Sequence, residues 1–120
     1  MITVEQIAQA AIDGDALRVR SLVLDLLRQN PQMESIPRPA IADQTVLAAA
    51  AAIVELLAQR RQQRPPTWTQ SVGAISPPVF LLKSATKMRR LREMCQAEAP
   101  EPLRRRGFYA PAIPYFHVSL

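Results

Sequence analysis

An all-α domain of about four helices, wrapped by long proline-rich connectors and closed by a docked, extended C-terminal tail, is the fold class this sequence predicts. Three observations predict it. Apolar residues recur at spacings of three and four in separate stretches, as on helix faces turned toward a core. The composition is 48% hydrophobic, much of it alanine, with only three Phe, two Tyr and one Trp. Such a supply favours helices packed closely through small side chains over a thick aromatic core. The eleven prolines all fall outside the periodic stretches, where they set connectors and the tail without breaking helices. At 120 residues the chain is the size of one domain, taken here as 1–120.

The first helix is expected over about 3–11. Thr3-Val4-Glu5-Gln6 fits a capping box, with Val4, Ile7, Ala8 and Ala11 on one face. Asp13-Gly14-Asp15 breaks it, and either aspartate can cap a second helix over about 15–29. Val19, Val23, Leu26 and Leu27 form its apolar face, widened by Leu22 and Leu24. Asn30-Pro31 ends it, because a residue before proline avoids the helical region. Residues 31–42, with Pro31, Pro37 and Pro39, read as an extended connector. Asp43 is the expected cap of the third and longest helix, about 44–63, with Val46, Leu47, Ala50, Ile53, Val54 and Leu57 at helical spacing. Arg60, Arg61 and Arg64 crowd its end, where cations suit the helix dipole.

Pro65-Pro66 stops that helix. Trp68 follows in a connector and is expected to plug a core short of bulk, the alternative being an interface anchor. Val79-Phe80-Leu81-Leu82 is a short apolar run with no evident strand partner, so it is read as an extended segment laid on the helices. Ser84 is the expected cap of a fourth helix, about 85–98, with Met88, Leu91, Met94 and Cys95 on one side. Pro100 and Pro102 end it, and residues 99–120 are expected to be irregular but docked, since Phe108, Tyr109, Ile113, Tyr115 and Phe116 would otherwise be exposed.

Charge divides the chain. Residues 1–59 hold four basic and seven acidic side chains, a net of −3, whereas residues 60–120 hold eleven and three, a net of +8. A gradient of this kind calls for a charged partner or a charged neighbouring copy. The single cysteine, Cys95, excludes an internal disulfide and points to a reducing compartment. The N-terminus lacks the basic and apolar regions of a signal peptide, and the apolar run Val46–Leu57 is interrupted by Glu55 and too short to span a bilayer. The expectation is a cytoplasmic microbial protein with no membrane partner.

Catalytic motifs are weak. Ser84-Ala85-Thr86-Lys87 has the serine-x-x-lysine spacing of some acyl hydrolases without their companion motifs. Cys95 and His117 would need to meet in the fold to act as nucleophile and base, and Cys95 reads as a buried structural residue. One histidine denies the chain an ordinary zinc site, and no glycine-rich loop precedes a helix. No enzyme activity, cofactor or metal is therefore expected.

Two basic clusters remain. Arg104-Arg105-Arg106 with Phe108 and Tyr109 pairs guanidinium forks with aromatic faces, and these five are the residues expected to bind a partner. The plainer account is a solvated turn in which one arginine holds the tail to the acidic first half. Lys83, Lys87 and Arg90 would share a stripe on the fourth helix and form an alternative nucleic-acid-binding surface within residues 83–106. A solvated face is the plainer account of that stripe.

The second half also resembles a known group. Pro65-Pro66-Thr67-Trp68-Thr69, Pro77-Pro78-Val79-Phe80, Arg89, Leu91 and Arg92, and Glu98-Ala99-Pro100 through Leu103-Arg104-Arg105-Arg106-Gly107-Phe108-Tyr109 are similar to a set of small bacterial proteins found near toxin–antitoxin or mobile-element genes. The likeness covers roughly residues 44–116 and departs at Tyr115–Leu120. It implies an antitoxin-like role and brings no active-site residues with it. The expected function is thus a small interaction protein that binds and occludes a partner enzyme. Nucleic-acid binding and a structural homo-oligomer, in which the acidic half of one copy meets the basic half of another, are the alternatives.

Overall fold

The structure is a computed structural model, and it describes residues 3–29, 32–76, 78–81 and 87–110. Within them the chain is mostly helical. Helix α1 spans Val4–Ile12, α2 Ala16–Arg28, α3 Gln44–Arg60, α4 Arg89–Glu98 and α5 Glu101–Arg105. Short 3₁₀ turns occupy Met33–Ser35 and Thr67–Ser71. Strands β1 (Val79–Phe80) and β2 (Phe108–Tyr109) form a small parallel pair.

The first three helices start where their caps place them. Thr3 and Gln6 form the reciprocal capping box of α1. Asp15 accepts from the Arg18 amide at the start of α2, and Asp43 accepts from the Thr45 and Val46 amides at the start of α3. Helix α1 ends in a Schellman turn. Gly14 adopts φ +78°, its amide bonds the Ala11 carbonyl, and the Asp15 amide bonds that of Ala10. Val19, Val23, Leu26 and Leu27 are the buried face of α2, as the spacing predicts.

Helix α3 is more deeply placed than a single apolar face would require. Every residue from Val46 to Ala58 is buried, including Glu55. The alanines Ala48–Ala52 let neighbours approach from several sides: α3 packs on α1, on α5 and on both 3₁₀ turns, and α1 in turn packs on α2. A helix apolar all round belongs in an interior, and this one is the spine of the molecule.

Four expectations are corrected. The third helix ends at Arg60 instead of near residue 63, because Gln62 turns left-handed (φ 55°) and closes a Schellman cap. The connector before α3 is not extended throughout, since Met33–Ser35 forms a 3₁₀ turn whose Met33 amide bonds the Gln63 side chain at 3.0 Å. The fourth helix begins at Arg89, behind Met88, which offers no side-chain cap; Ser84 lies outside the described residues. The tail from residue 99 is not irregular: it contains α5 and β2 before residues 111–120, where the expected docking of Ile113, Tyr115 and Phe116 lies outside the described residues.

The apolar run at 79–82 does have a strand partner. Val79 pairs with Phe108 and Phe80 with Tyr109. Amides of one segment feed carbonyls of the other: Ile75 to Arg106 (3.0 Å), Val79 to Gly107 (2.8 Å) and Leu81 to Tyr109 (2.9 Å). Parallel strands need a crossover, and α4 and α5 lie in that connection.

Candidate functional site

The sequence places three arginines in a row, and the fold sends them to different places. Successive helical residues point about 100° apart, so Arg104, Arg105 and Arg106 at the end of α5 cannot all face one way. Arg104 is exposed and has no ion-pair partner among the described residues. Arg105 is half-exposed. Arg106 is 4% exposed. The expectation of an exposed triplet is therefore corrected for Arg106, and Phe108, 0% exposed, is a core residue. Tyr109 is half-buried.

Arg106 faces Glu55 of α3. Its Nη1 and Nη2 donate to the two carboxylate oxygens, and Nη2 also donates to the Thr69 carbonyl at 2.7 Å. Arg105 Nη2 reaches the same Glu55 Oε1 at 2.5 Å, while its Nη1 lies 3.7 Å from the exposed Glu101. A charge taken out of water is costly unless it is paired and hydrogen-bonded. Glu55, alone among apolar neighbours on α3, meets that condition through the basic half. This is the plainer account of the triplet, an arginine holding the second half of the chain to the first. Glu55 was the legible signal for it: one carboxylate inside an apolar helical run requires a cation from elsewhere. Thr69, whose carbonyl completes the set, carries no such signal.

Cavities open on either side of Arg105. One, of about 360 Å³, is lined by Glu55, Gln70, Gly73, Arg105 and Arg106 among others. A second, of about 460 Å³, shares Glu55, Gln70 and Arg105. Trp68, expected as a plug, is half-buried against the core and donates from Nε1 to the Ile36 carbonyl at 2.9 Å, tying the two connectors together.

The second basic cluster lies on and before α4. Lys87 precedes the helix, so it cannot share a helical stripe with Arg90, and Lys83 lies outside the described residues. Arg89, Arg90 and Arg92 are exposed, with Arg89 paired to Glu93 at 3.1 Å. The helix buries Cys95 alone, while Leu91 and Met94 are half-buried and Met88 is 55% exposed. The Arg92 guanidinium lies 6.0 Å from the centre of the Phe80 ring, which packs on Tyr109 at 5.4 Å. One cation, Arg92, and an aromatic pair thus meet where α4 packs on β2.

Catalytic groups do not assemble among the described residues. Ser84 and His117 lie outside them. Burial, with a contribution from Glu98, pushes the Cys95 thiol above its ordinary range and keeps it protonated. Among the described residues no three His, Cys, Asp or Glu side chains cluster as metal ligands, and no helix is long and apolar enough to cross a membrane. No family model, curated protein or solved structure matches the chain.

Proposed function

We propose that this chain is a small interaction protein that covers an acidic surface of a partner enzyme, as an antitoxin would. The observation that carries the reading is the surface where α4 meets the strands. There Arg92 lies over Phe80 of the half-buried Phe80–Tyr109 pair, and Arg89, Arg90 and Met88 are exposed at the start of the same helix. Aromatic residues, Met and Arg are the types enriched where proteins meet. Arg104 and the outer part of Arg105 remain available from the residues named on sequence grounds, whereas Arg106 and Phe108 are committed to the interior. The resemblance to antitoxin-like proteins supports the same reading.

The test is isolation of the protein from its native host with and without nuclease, alongside a variant carrying Arg90→Glu and Arg104→Glu. Neither arginine has a structural ion pair among the described residues, so the variant should keep its melting temperature. The expected result is one stoichiometric protein that survives nuclease and is recovered at least tenfold less by the variant. Recovery of nuclease-sensitive nucleic acid without protein would replace the reading with nucleic-acid binding. A dimer that dissociates as salt rises, with nothing else bound, would replace it with the structural homo-oligomer.

A further inference from the structure

We propose that the cavity between α3, the Thr67–Ser71 turn and α5 binds a small oxyanion, a carboxylate or phosphoryl group received by Arg105. Charge distribution is the first argument. Glu55 is engaged by Arg106 through both oxygens, so Arg105 is the second guanidinium on one carboxylate. Its other anionic neighbour is Glu101, at 3.7 Å and exposed. An i,i+4 pair of that kind contributes little, and an incoming oxyanion can compete with it. The fork of a guanidinium suits two oxygens at once.

An unpaired donor is the second argument. Arg106 Nε is buried and has no hydrogen-bond partner among the described residues, although Nη1 donates to Glu55 and Nη2 to Glu55 and the Thr69 carbonyl. Buried charged donors are rarely left unpaired without a functional or ligand-based reason. Arg106 lines the same cavity as Arg105 and Gln70, so three donor-bearing residues border it together with the one carboxylate, Glu55, that the two arginines already neutralise. At about 360 Å³ the space lies in the range of small-molecule sites. Gly73 also lines this space, and nothing lies within 4 Å of where its Cβ would stand.

Arg90 is not among the residues that line this site, and Arg90→Glu should leave it intact. The test is an NMR titration of the full chain at fixed ionic strength, following the arginine Nε–H signals and the Gly73 amide. The probes are inorganic phosphate, succinate and a tetraglutamate peptide, with chloride as the control. A saturable shift is expected for at least one probe. Saturation by phosphate or succinate identifies a free small anion, and saturation by the peptide alone identifies an acidic side chain of a partner. The shift should vanish in Arg105→Gln and weaken at least tenfold in Gly73→Leu, which adds bulk at a lining position without removing a charge. If Arg105→Gln does not fold, Gly73→Leu decides. No saturation with any probe, or an unchanged shift in either folded variant, overturns the proposal.

Discussion

Gly107 sits at the junction of the ion cluster and the sheet, and its backbone admits no other residue easily. Its φ is +91°, and a Cβ there would lie 3.0 Å from the Ile75 carbonyl oxygen and 3.2 Å from Ile75 Cγ1. The Ile75 backbone cannot simply retreat, because its amide bonds the Arg106 carbonyl, and the Gly107 carbonyl receives the Val79 amide. Gly107→Ala therefore combines a left-handed backbone with a steric conflict against a hydrogen-bonded strand. The expected loss is about 2 kcal/mol or more, read from the midpoint of urea unfolding; a loss below about 0.5 kcal/mol, within the range of ordinary surface substitutions, would contradict it. At this scale the sequence was only half legible. Three adjacent arginines look like one patch, but a helical turn separates them. Gly107, next in line, drew no reading of its own, and its left-handed backbone stands between the buried Arg106 and the core residue Phe108.

Among the elements, α3 shows both what local pattern conveys and where it stops. Its start is written in Asp43, and its length in the apolar run. Its end is set by Gln62, a non-glycine residue at φ 55° whose amide bonds the Gln59 carbonyl at 3.1 Å, while the Gln63 amide bonds that of Ala58 at 2.8 Å. Gln62→Gly removes the cost of a Cβ in that conformation and keeps the cap. The expected gain is about 1 kcal/mol, measured as a raised melting temperature; a lowered one would show that the Gln62 side chain has a stabilising contact. Helices α1, α2 and α3 were legible because caps and periodicity are properties of neighbours in sequence. Helix α5 and strands β1 and β2 were not. A five-residue helix and two-residue strands carry no periodicity, and the strand pairing depends on segments far apart in the chain. The start of α4 also escaped, because Met88 is no capping residue and Ser84 drew attention instead.

Across the whole molecule, the charge gradient has a structural use as well as an available surface. The acidic half contributes Glu55 from the central helix, and the basic half closes over it with Arg106 and Arg105. What is left outside, on α4 and the outer turn of α5, is the cationic surface assigned here to a partner. The sequence made the gradient plain but could not divide it between interior and surface, since that division depends on which way a short helix faces. The account rests on that division, and chemical unfolding of two single variants measures it. Arg104→Ala removes an exposed charge and should change stability by no more than about 0.5 kcal/mol. Arg106→Ala strips a buried carboxylate of its bidentate partner and should cost about 3 kcal/mol. Equal losses in the two variants, or a loss below about 1 kcal/mol for Arg106→Ala, a third of what breaking a buried pair costs, would contradict the assignment of Arg106 to the interior and Arg104 to the surface.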